Sequence, residues 1–524
     1  VRCPARATTR PGAAVAARCS RAAGRCAAVC IWLAASASGG GCASRASVSE
    51  IAAIYDHVHG DDRALARHDP IVVVPGFLGS TLAVESTGEV LWGRFLGRSQ
   101  RPRDPAFIRA LALPVADAPL AQLRDDVVVT GAMRVAELDI GRTHVEVNAY
   151  PGVLSGILVG WDAGDAPTMG RLTRAARDSA DTQLPLLDEV GYDWRRDVAE
   201  SAATLHTHLV EAHAHAVAKR RALGLPSDDV RLDVIAHSTG CLVLRYYLRY
   251  GTQPLPDDGS LPPVTWEGHA LVRRAVLVAP PNRGSLSAFE TLRAGGKPIP
   301  VLPRFSAPLL GSFVSLYQLM PPPAQAMVVY GDGAPIDLYD VGVWERYGWG
   351  LFAPDEDDVL RAMLPEAGDR GARVAIARRY TARALARARQ FHEALSSPAS
   401  PPPGTTLHLF AADGIATPRQ LVIDRASGNV LRRETGPGDG VVPRDSALAD
   451  VRPFDSDLRP LVGPVDWESV HWVRGDHLGL IGEPGFVDNL LFMLFEDPRW
   501  TLPVDDAPAV DDPSQAAELL APAR

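Results

Sequence analysis

A chain of 524 residues is long enough for one elaborated domain or for two or three smaller ones, and its 46% hydrophobic content says that it folds. Charge is divided unevenly: residues 1 to 42 carry six arginines and no acid, which leaves a body of 47 basic against 62 acidic groups. An acidic body without basic runs excludes nucleic acid as the expected partner, and beyond the leader no apolar stretch is long enough to span a bilayer.

In chain order, Arg21 and Arg25 precede the apolar AAVCIWLAASA (27 to 37) and the small-residue SGGGCAS. That is the order of the basic, apolar and cleavage regions of a secretory signal over residues 1–42. The segment resembles a bacterial lipoprotein signal with Cys42 as the lipidated residue, although Gly39 stands where that signal has an aliphatic residue. The expectation is an exported chain, either periplasmic and held at a membrane surface through Cys42 or extracellular. The blander reading is a mis-assigned start, since the chain opens with Val1. Five of the six cysteines lie in this leader, so a body with Cys241 alone cannot hold an internal disulfide.

A polar linker is expected over 43–69, followed by one domain over 70–500. IVVVPGFLGS begins at Ile71 as a β-branched run that breaks at Pro75-Gly76, the look of a strand buried on both faces. LDVIA (232 to 236), AVLVAP (275 to 280) and TLHLFAA (406 to 412) look alike. Between them, residues 200 to 224 and 239 to 251 read as helices that end at Gly224 and Gly251. Alternation of this kind implies a doubly wound, mostly parallel α/β sheet. Residues 84–180 and 286–404 are too long for simple connections and are expected to be cap or lid insertions, the second with an amphipathic helix over 380 to 395. Residues 501–524, rich in Pro, Asp and Ala, read as a flexible tail.

The pentapeptide Ala236-His237-Ser238-Thr239-Gly240 falls where a strand gives way to a helix. A nucleophile elbow needs that context, with small residues two before and two after the serine so that the sharp turn can pass neighbouring backbone. Ala236 and Gly240 meet the need; the blander reading is a serine N-cap. A serine needs a base, and the base needs an orienting acid. In this fold the chain order is serine, acid, histidine. His392, His408, His471 and His477 follow at suitable distance; His477, in the glycine-punctuated VRGDHLGLIG, suits a mobile imidazole best, with His471 its competitor. For the acid, Asp439 lies in a Gly-flanked turn, while Asp413 directly follows a strand and Asp332 lies in the cap. The segment between Asp413 and Asp439 reads as a hairpin turning at Ser427-Gly428-Asn429. The amides of Thr239 and Phe77 are the candidate oxyanion donors.

Taken in order, VPGFLGSTL, GYDWRRD, AHSTGCLVLRYYL, APPNRGSL, SLYQLMP, WERYGWG, GDGVVP and DHLGL resemble the lecithin:cholesterol acyltransferase family of α/β-hydrolases, from about Ile71 to about Leu480. The resemblance implies Ser238 as nucleophile, Asp439 as acid in preference to Asp413, His477 as base, and Phe77 and Thr239 as oxyanion donors. It implies a serine ester hydrolase or O-acyltransferase for lipid-like or hydrophobic acyl esters, with water or an alcohol as acceptor and no cofactor or metal. The body disulfides of the animal members cannot form here. A non-catalytic binding module on the same fold is the alternative.

Lesser features complete the reading. Trp344, Tyr347, Trp349, Leu351 and Phe352 are expected either to line an acyl pocket or lid, or to be cap core. Asp193-Trp194-Arg195 reads as a structural clamp near the active-site floor. Of the helical histidines His206, His208, His213 and His215, no pair stands four apart, the spacing that chelates a metal on one helix face.

Overall fold

The computed structural model describes residues 68–95, 101–140, 143–148, 187–297, 302–323, 325–452 and 461–496. The leader with Cys42, most of the expected linker, the tail from 501 and residues 149–186, which include the last part of the expected first insertion, lie outside the described residues.

Fifteen strands run in chain order through the described residues: β1 (Ile71–Val74), β2 (Ser80–Val84), β3 (Val90–Trp92), β4 (Arg94–Phe95), β5 (Val127–Ala132), β6 (Val135–Ile140), β7 (Thr143–Asn148), β8 (Leu187–Glu189), β9 (Leu232–His237), β10 (Val272–Val278), β11 (Val328–Tyr330), β12 (Thr406–Ala412), β13 (Ile415–Ile423), β14 (Val430–Gly438) and β15 (Ser469–Val473). Six of them form the main sheet in the order β15-β12-β10-β9-β1-β8, and every pairing in it is parallel.

The four runs read as buried strands are β1, β9, β10 and β12, and their continuity has a physical cause. A parallel sheet covered on both faces has no solvent side on which to put polar residues. Val72, Val74, Val234, Ala236 and Leu277 join one core, while Val73, Ile235, Val276 and Phe410 join a second on the opposite face. The first core is covered by helices α1 (Val198–Ala222) and α2 (Thr239–Tyr250). The second is covered by Leu480, Ile481 and helix α3 (Pro484–Leu491) with its successors Met493 and Leu494.

Sheet order also locates the crevice. From β1 the chain crosses to β8 on one side and then to β9 on the other, after which β10, β12 and β15 add outward. The order reverses between β1 and β9, and in open α/β sheets ligands bind at the carboxyl ends of the strands flanking such a reversal. Pro75-Gly76 and Ser238 are the residues that leave those two ends.

Both segments expected to be insertions carry regular structure among the described residues. Within 84–148 lie strands of two small three-stranded sheets, β3-β2-β5 and β4-β6-β7. The second insertion carries β11 and, among its helices, the long Arg370–Ser396 helix, which starts ten residues earlier than the sequence suggested. Asp69, expected at the linker's end, already belongs to the fold, ion-paired with Arg273 and Arg220.

One ion pair is buried inside the sheet. Arg274 Nε and Nη2 donate to both oxygens of Asp233 (2.8 and 2.6 Å) at neighbouring register positions of β10 and β9, and Arg274 also reaches the carbonyls of Met493 and Leu494. Burial pushes the Asp233 carboxyl up to about 6 against the opposing pull of Arg274, so the attraction does not fully repay the lost hydration. Arg274→Met should therefore cost about 3–5 kcal/mol by stranding a buried carboxylate, whereas Arg274→Met with Asp233→Leu should recover most of that loss. Urea unfolding of both variants measures the difference.

Candidate active site

β9 enters a strained turn at its carboxyl end. Ser238 has φ 51° and ψ −122°, a conformation that costs a non-glycine residue energy and persists only where packing enforces it. The enforcement is backbone against backbone. A Cβ on Gly240 would collide with the carbonyl oxygens of Pro75 and Val74, and one on Gly76 would lie 2.9 Å from Ser238 Cβ. The Ser238 amide is held by the Val278 carbonyl of the next strand at 2.9 Å.

Although Ser238 occupies the N-cap position of α2, its hydroxyl makes no capping bond. It lies 2.9 Å from His477 Nε2, and His477 Nδ1 lies 2.8 Å from Asp439 Oδ2. Asp439 Oδ1 accepts from the amides of Val441 (2.9 Å) and Val442 (2.7 Å). Burial alone would raise the Asp439 carboxyl; the His477 hydrogen bond and charge and the two amides outweigh it, holding the group below its ordinary value. The loops are joined a second time, since the His477 amide donates to the Asp439 carbonyl at 2.9 Å.

Asp439 reaches this point by a hairpin. β13 and β14 pair antiparallel around the expected turn, with Gly428 at φ 71°, and carry the chain from Asp413 back to Asp439. Asp413 is instead ion-paired with Arg444 (3.2 Å), and Asp332 with Arg425 (2.8 Å). His392 is buried in the Arg370–Ser396 helix, where loss of hydration pulls its pKa down to about 4. His408 is buried in β12 between Ser469 and Thr406; His471 stacks on Phe410 at 4.5 Å and bonds Ser469.

The loop after β1 is pinned from several sides. Gly79 N–H closes a turn onto the Gly76 carbonyl (3.0 Å), Trp92 Nε1 holds the Leu78 carbonyl (2.9 Å), and Tyr192 Oη holds the Pro75 carbonyl (2.8 Å). The Phe77 ring packs edge-on against Trp194 at 5.1 Å. Among the described residues the Phe77 amide has no hydrogen-bond partner, and Thr239, as the first residue of α2, has no intrahelical acceptor for its own. Beneath them Arg195, wholly buried, is paired with Asp193 and Asp125 and donates to the Leu111 carbonyl, as a clamp would.

The aromatic cluster over 344–352 packs mostly inward. Trp344, Trp349, Leu351 and Phe352 are buried, Trp344 and Trp349 stand edge-to-face with each other and with Phe289, and Trp344 Nε1 donates to the Leu338 carbonyl. Tyr347 lies at the margin, hydrogen-bonded to Tyr330 and the Arg425 carbonyl. Trp344, Trp349, Leu351 and Phe352 belong to the larger of the buried cores. Cys241 is buried behind the elbow, its Sγ turned to the Ala236 carbonyl, with burial pushing the thiol far up. Of the helical histidines, His206 bonds the Tyr247 hydroxyl at 3.1 Å.

One participant escaped the sequence reading. His237, immediately before the serine, places Nε2 2.9 Å from the His477 carbonyl oxygen, and burial together with the nearby His477 pulls its pKa down to about 3. A neutral His237 therefore tethers the backbone of the histidine whose imidazole meets Ser238. Its only signal in the sequence is its position, which packing and polar roles share equally.

No protein-family model matches the chain, and no curated protein matches it. Among solved structures it is similar to the crystal structure of the Tle4-Tli4 complex, at 15% identity and a TM-score of 0.49, over 81% of this chain and 98% of the other. The parallel six-stranded sheet, its reversal at β1 and the strand–elbow–helix at Ser238 are the features of an α/β-hydrolase fold. The chain has that fold.

Because the Asp439 pKa is lowered on folding, the carboxylate contributes stability above the ordinary Asp range, near pH 4, and loses it as pH falls through the folded value. The stability gap between the wild type and Asp439→Asn should be widest at pH 7 and close below about pH 4, as read by urea unfolding at several pH values. Gly240→Val should forfeit the elbow altogether, giving a thermal midpoint many degrees lower, since the opposing atoms are main-chain carbonyls that cannot move aside.

Proposed function

We propose that this chain is a serine carboxylic-ester hydrolase, similar to the lecithin:cholesterol acyltransferases, that acts on hydrophobic or lipid-like acyl esters through an acyl-serine intermediate. The observation that carries the proposal is the uncommitted Ser238 hydroxyl. At a strained helix start it forgoes the capping bond and meets His477 Nε2, while Nδ1 of the same ring meets an amide-supported carboxylate.

In the proposed reaction His477 Nε2 takes the Ser238 proton as Oγ bonds to the ester carbonyl carbon. The carbonyl oxygen becomes an oxyanion received by the amides of Phe77 and Thr239. Each such donor is worth on the order of 10²–10³ in rate. Asp439 holds the imidazole in the tautomer that presents Nε2 to the serine and stabilises the imidazolium. The imidazolium then gives its proton to the departing alkoxide. Water, or an alcohol in the acyltransfer branch, attacks the acyl-serine while His477 takes its proton, and collapse returns that proton to Ser238.

The apolar character of the substrate is supported by the rim. Leu478, next to the base, is 62% exposed, and Ile415 and Val441, beside the Asp439 turn, are each 36% exposed. An aliphatic side chain left so open beside catalytic polar groups suits an acyl chain or a lipid surface better than a polar ester. On the leader's strength alone, the proposal includes export and attachment to a membrane surface by a lipidated Cys42; among the described residues no helix is long and apolar enough to cross a membrane.

Turnover of p-nitrophenyl esters of increasing chain length tests the proposal. Ser238→Ala should reduce the rate to background with the thermal midpoint nearly unchanged, and Asp439→Asn should lower kcat about 10⁴-fold. A fluorophosphonate probe should label the wild type and not Ser238→Ala. Ester product on addition of a long-chain alcohol assigns acyltransfer, and free acid alone assigns hydrolysis. Serine-independent turnover, or none on any ester, overturns the reading in favour of a binding module.

A further inference from the structure

The loop that carries Phe77 holds its next residue in a conformation that a side chain resists. Leu78 has φ 68°, in the left-handed region that a non-glycine residue enters only under constraint. Its carbonyl accepts from the indole Nε1–H of Trp92 at 2.9 Å. Trp92 ends β3, and pairing of β3 with β2 sets it opposite Leu82, from where the indole reaches back to the loop that precedes β2. The indole is itself fixed: Trp92 is 1% exposed, and its ring stands edge-on to Trp194 at 5.3 Å and to Phe305 at 6.1 Å.

Peptide planarity extends this contact into a connected chain. The Leu78 carbonyl shares its peptide unit with the Gly79 N–H, which donates to the Gly76 carbonyl at 3.0 Å. The Gly76 carbonyl in turn shares its peptide unit with the Phe77 N–H. In a trans peptide the two groups point in opposite directions, so holding a carbonyl aims the N–H behind it. Each link also polarises the next, since a carbonyl that accepts a hydrogen bond leaves its own N–H a stronger donor. An indole Nε1–H donates and cannot accept, which fixes the sense of the chain. It begins at Trp92 and ends at the Phe77 N–H, which has no partner among the described residues.

We propose that Trp92 is a positioning residue for ester hydrolysis: through the peptide units Leu78–Gly79 and Gly76–Phe77 it aims the Phe77 N–H and strengthens it as an oxyanion donor. The proposal rests on the reading of Ser238 as nucleophile and of the Phe77 amide as donor. A tryptophan that served packing alone would need an acceptor for its buried N–H, but not the carbonyl of the strained residue beside that donor. Because the links stand without substrate, the donor is oriented before the ester arrives, the condition under which such a group lowers a barrier most.

Ester turnover and backbone amide exchange, both on the whole chain, test the role with Trp92→Phe, which keeps an aromatic ring against Trp194 and Phe305 and has no N–H. Turnover of p-nitrophenyl esters should show kcat about tenfold lower with KM little changed, the pattern of an interaction made in the transition state. The preference for an oxygen ester over the matching thionoester, whose sulfur accepts hydrogen bonds weakly, should narrow by a similar factor. In the wild type the Gly79 amide should exchange as slowly as that of Leu232, which is bonded to the Leu271 carbonyl at the other end of the sheet. In Trp92→Phe the Gly79 amide should quicken about tenfold relative to Leu232. An unprotected Gly79 amide in the wild type overturns the proposal even if Trp92→Phe does not fold. A lower thermal midpoint with kcat and the oxygen-to-sulfur preference unchanged also overturns it, leaving Trp92 a packing residue, while Ser238-dependent turnover in the wild type keeps the ester-hydrolase reading. Turnover that does not depend on Ser238 overturns that reading and the role of Trp92 with it.

Discussion

Everything at this site depends on one close approach between two pieces of main chain. The first turn of α2 leans on the carbonyls of Val74 and Pro75 at a distance that only Gly240 permits, and Gly76 returns the favour against Ser238. Because β1 and β9 are hydrogen-bonded neighbours at the sheet's reversal, their ends emerge side by side, and the contact between them is set by sheet geometry rather than by loop preference. The serine's strained dihedrals and the Phe77 and Thr239 amides, which are without a hydrogen-bond partner among the described residues, are consequences of that contact. Strain of this kind survives because two buried cores, one on each face, hold the strands in place.

His477 and Asp439 arrive from farther away and are held differently. His477 is fastened at its backbone twice, by its amide to the Asp439 carbonyl and by its own carbonyl to His237. Its ring is thus left to respond to Ser238 and Asp439, while its main chain is fixed to the strand that bears the serine. Asp439 is stabilised by local amides and keeps its charge in spite of burial, which is the electrostatic condition for orienting an imidazole in the tautomer the serine needs.

Much of this was legible in the residues, and the limits of legibility have physical causes. β1, β9, β10 and β12 could be read because buried parallel strands are unbroken apolar runs. The β13–β14 hairpin could be read from its turn residues, and with it the route from Asp413 to Asp439. β8, with three residues, is too short to show a period, and β15 alternates in exposure like any edge segment, so neither stood out. The histidines could be ranked only by their surroundings in the sequence; burial in a helix or strand, which removes His392 and His408 from the crevice, is a tertiary fact. His237 was invisible as a tether because its partner is a carbonyl 240 positions along the chain.

The hairpin has a further consequence, which is mechanical. Its first strand, β13, is also the hydrogen-bonded neighbour of β11, through Leu421, Val422 and Ile423 at the turn end of the ribbon, remote from Asp439. The ribbon is therefore held at one end by β11 and at the other by the contact between Asp439 and His477, so a displacement at either end is passed along the paired strands to the other.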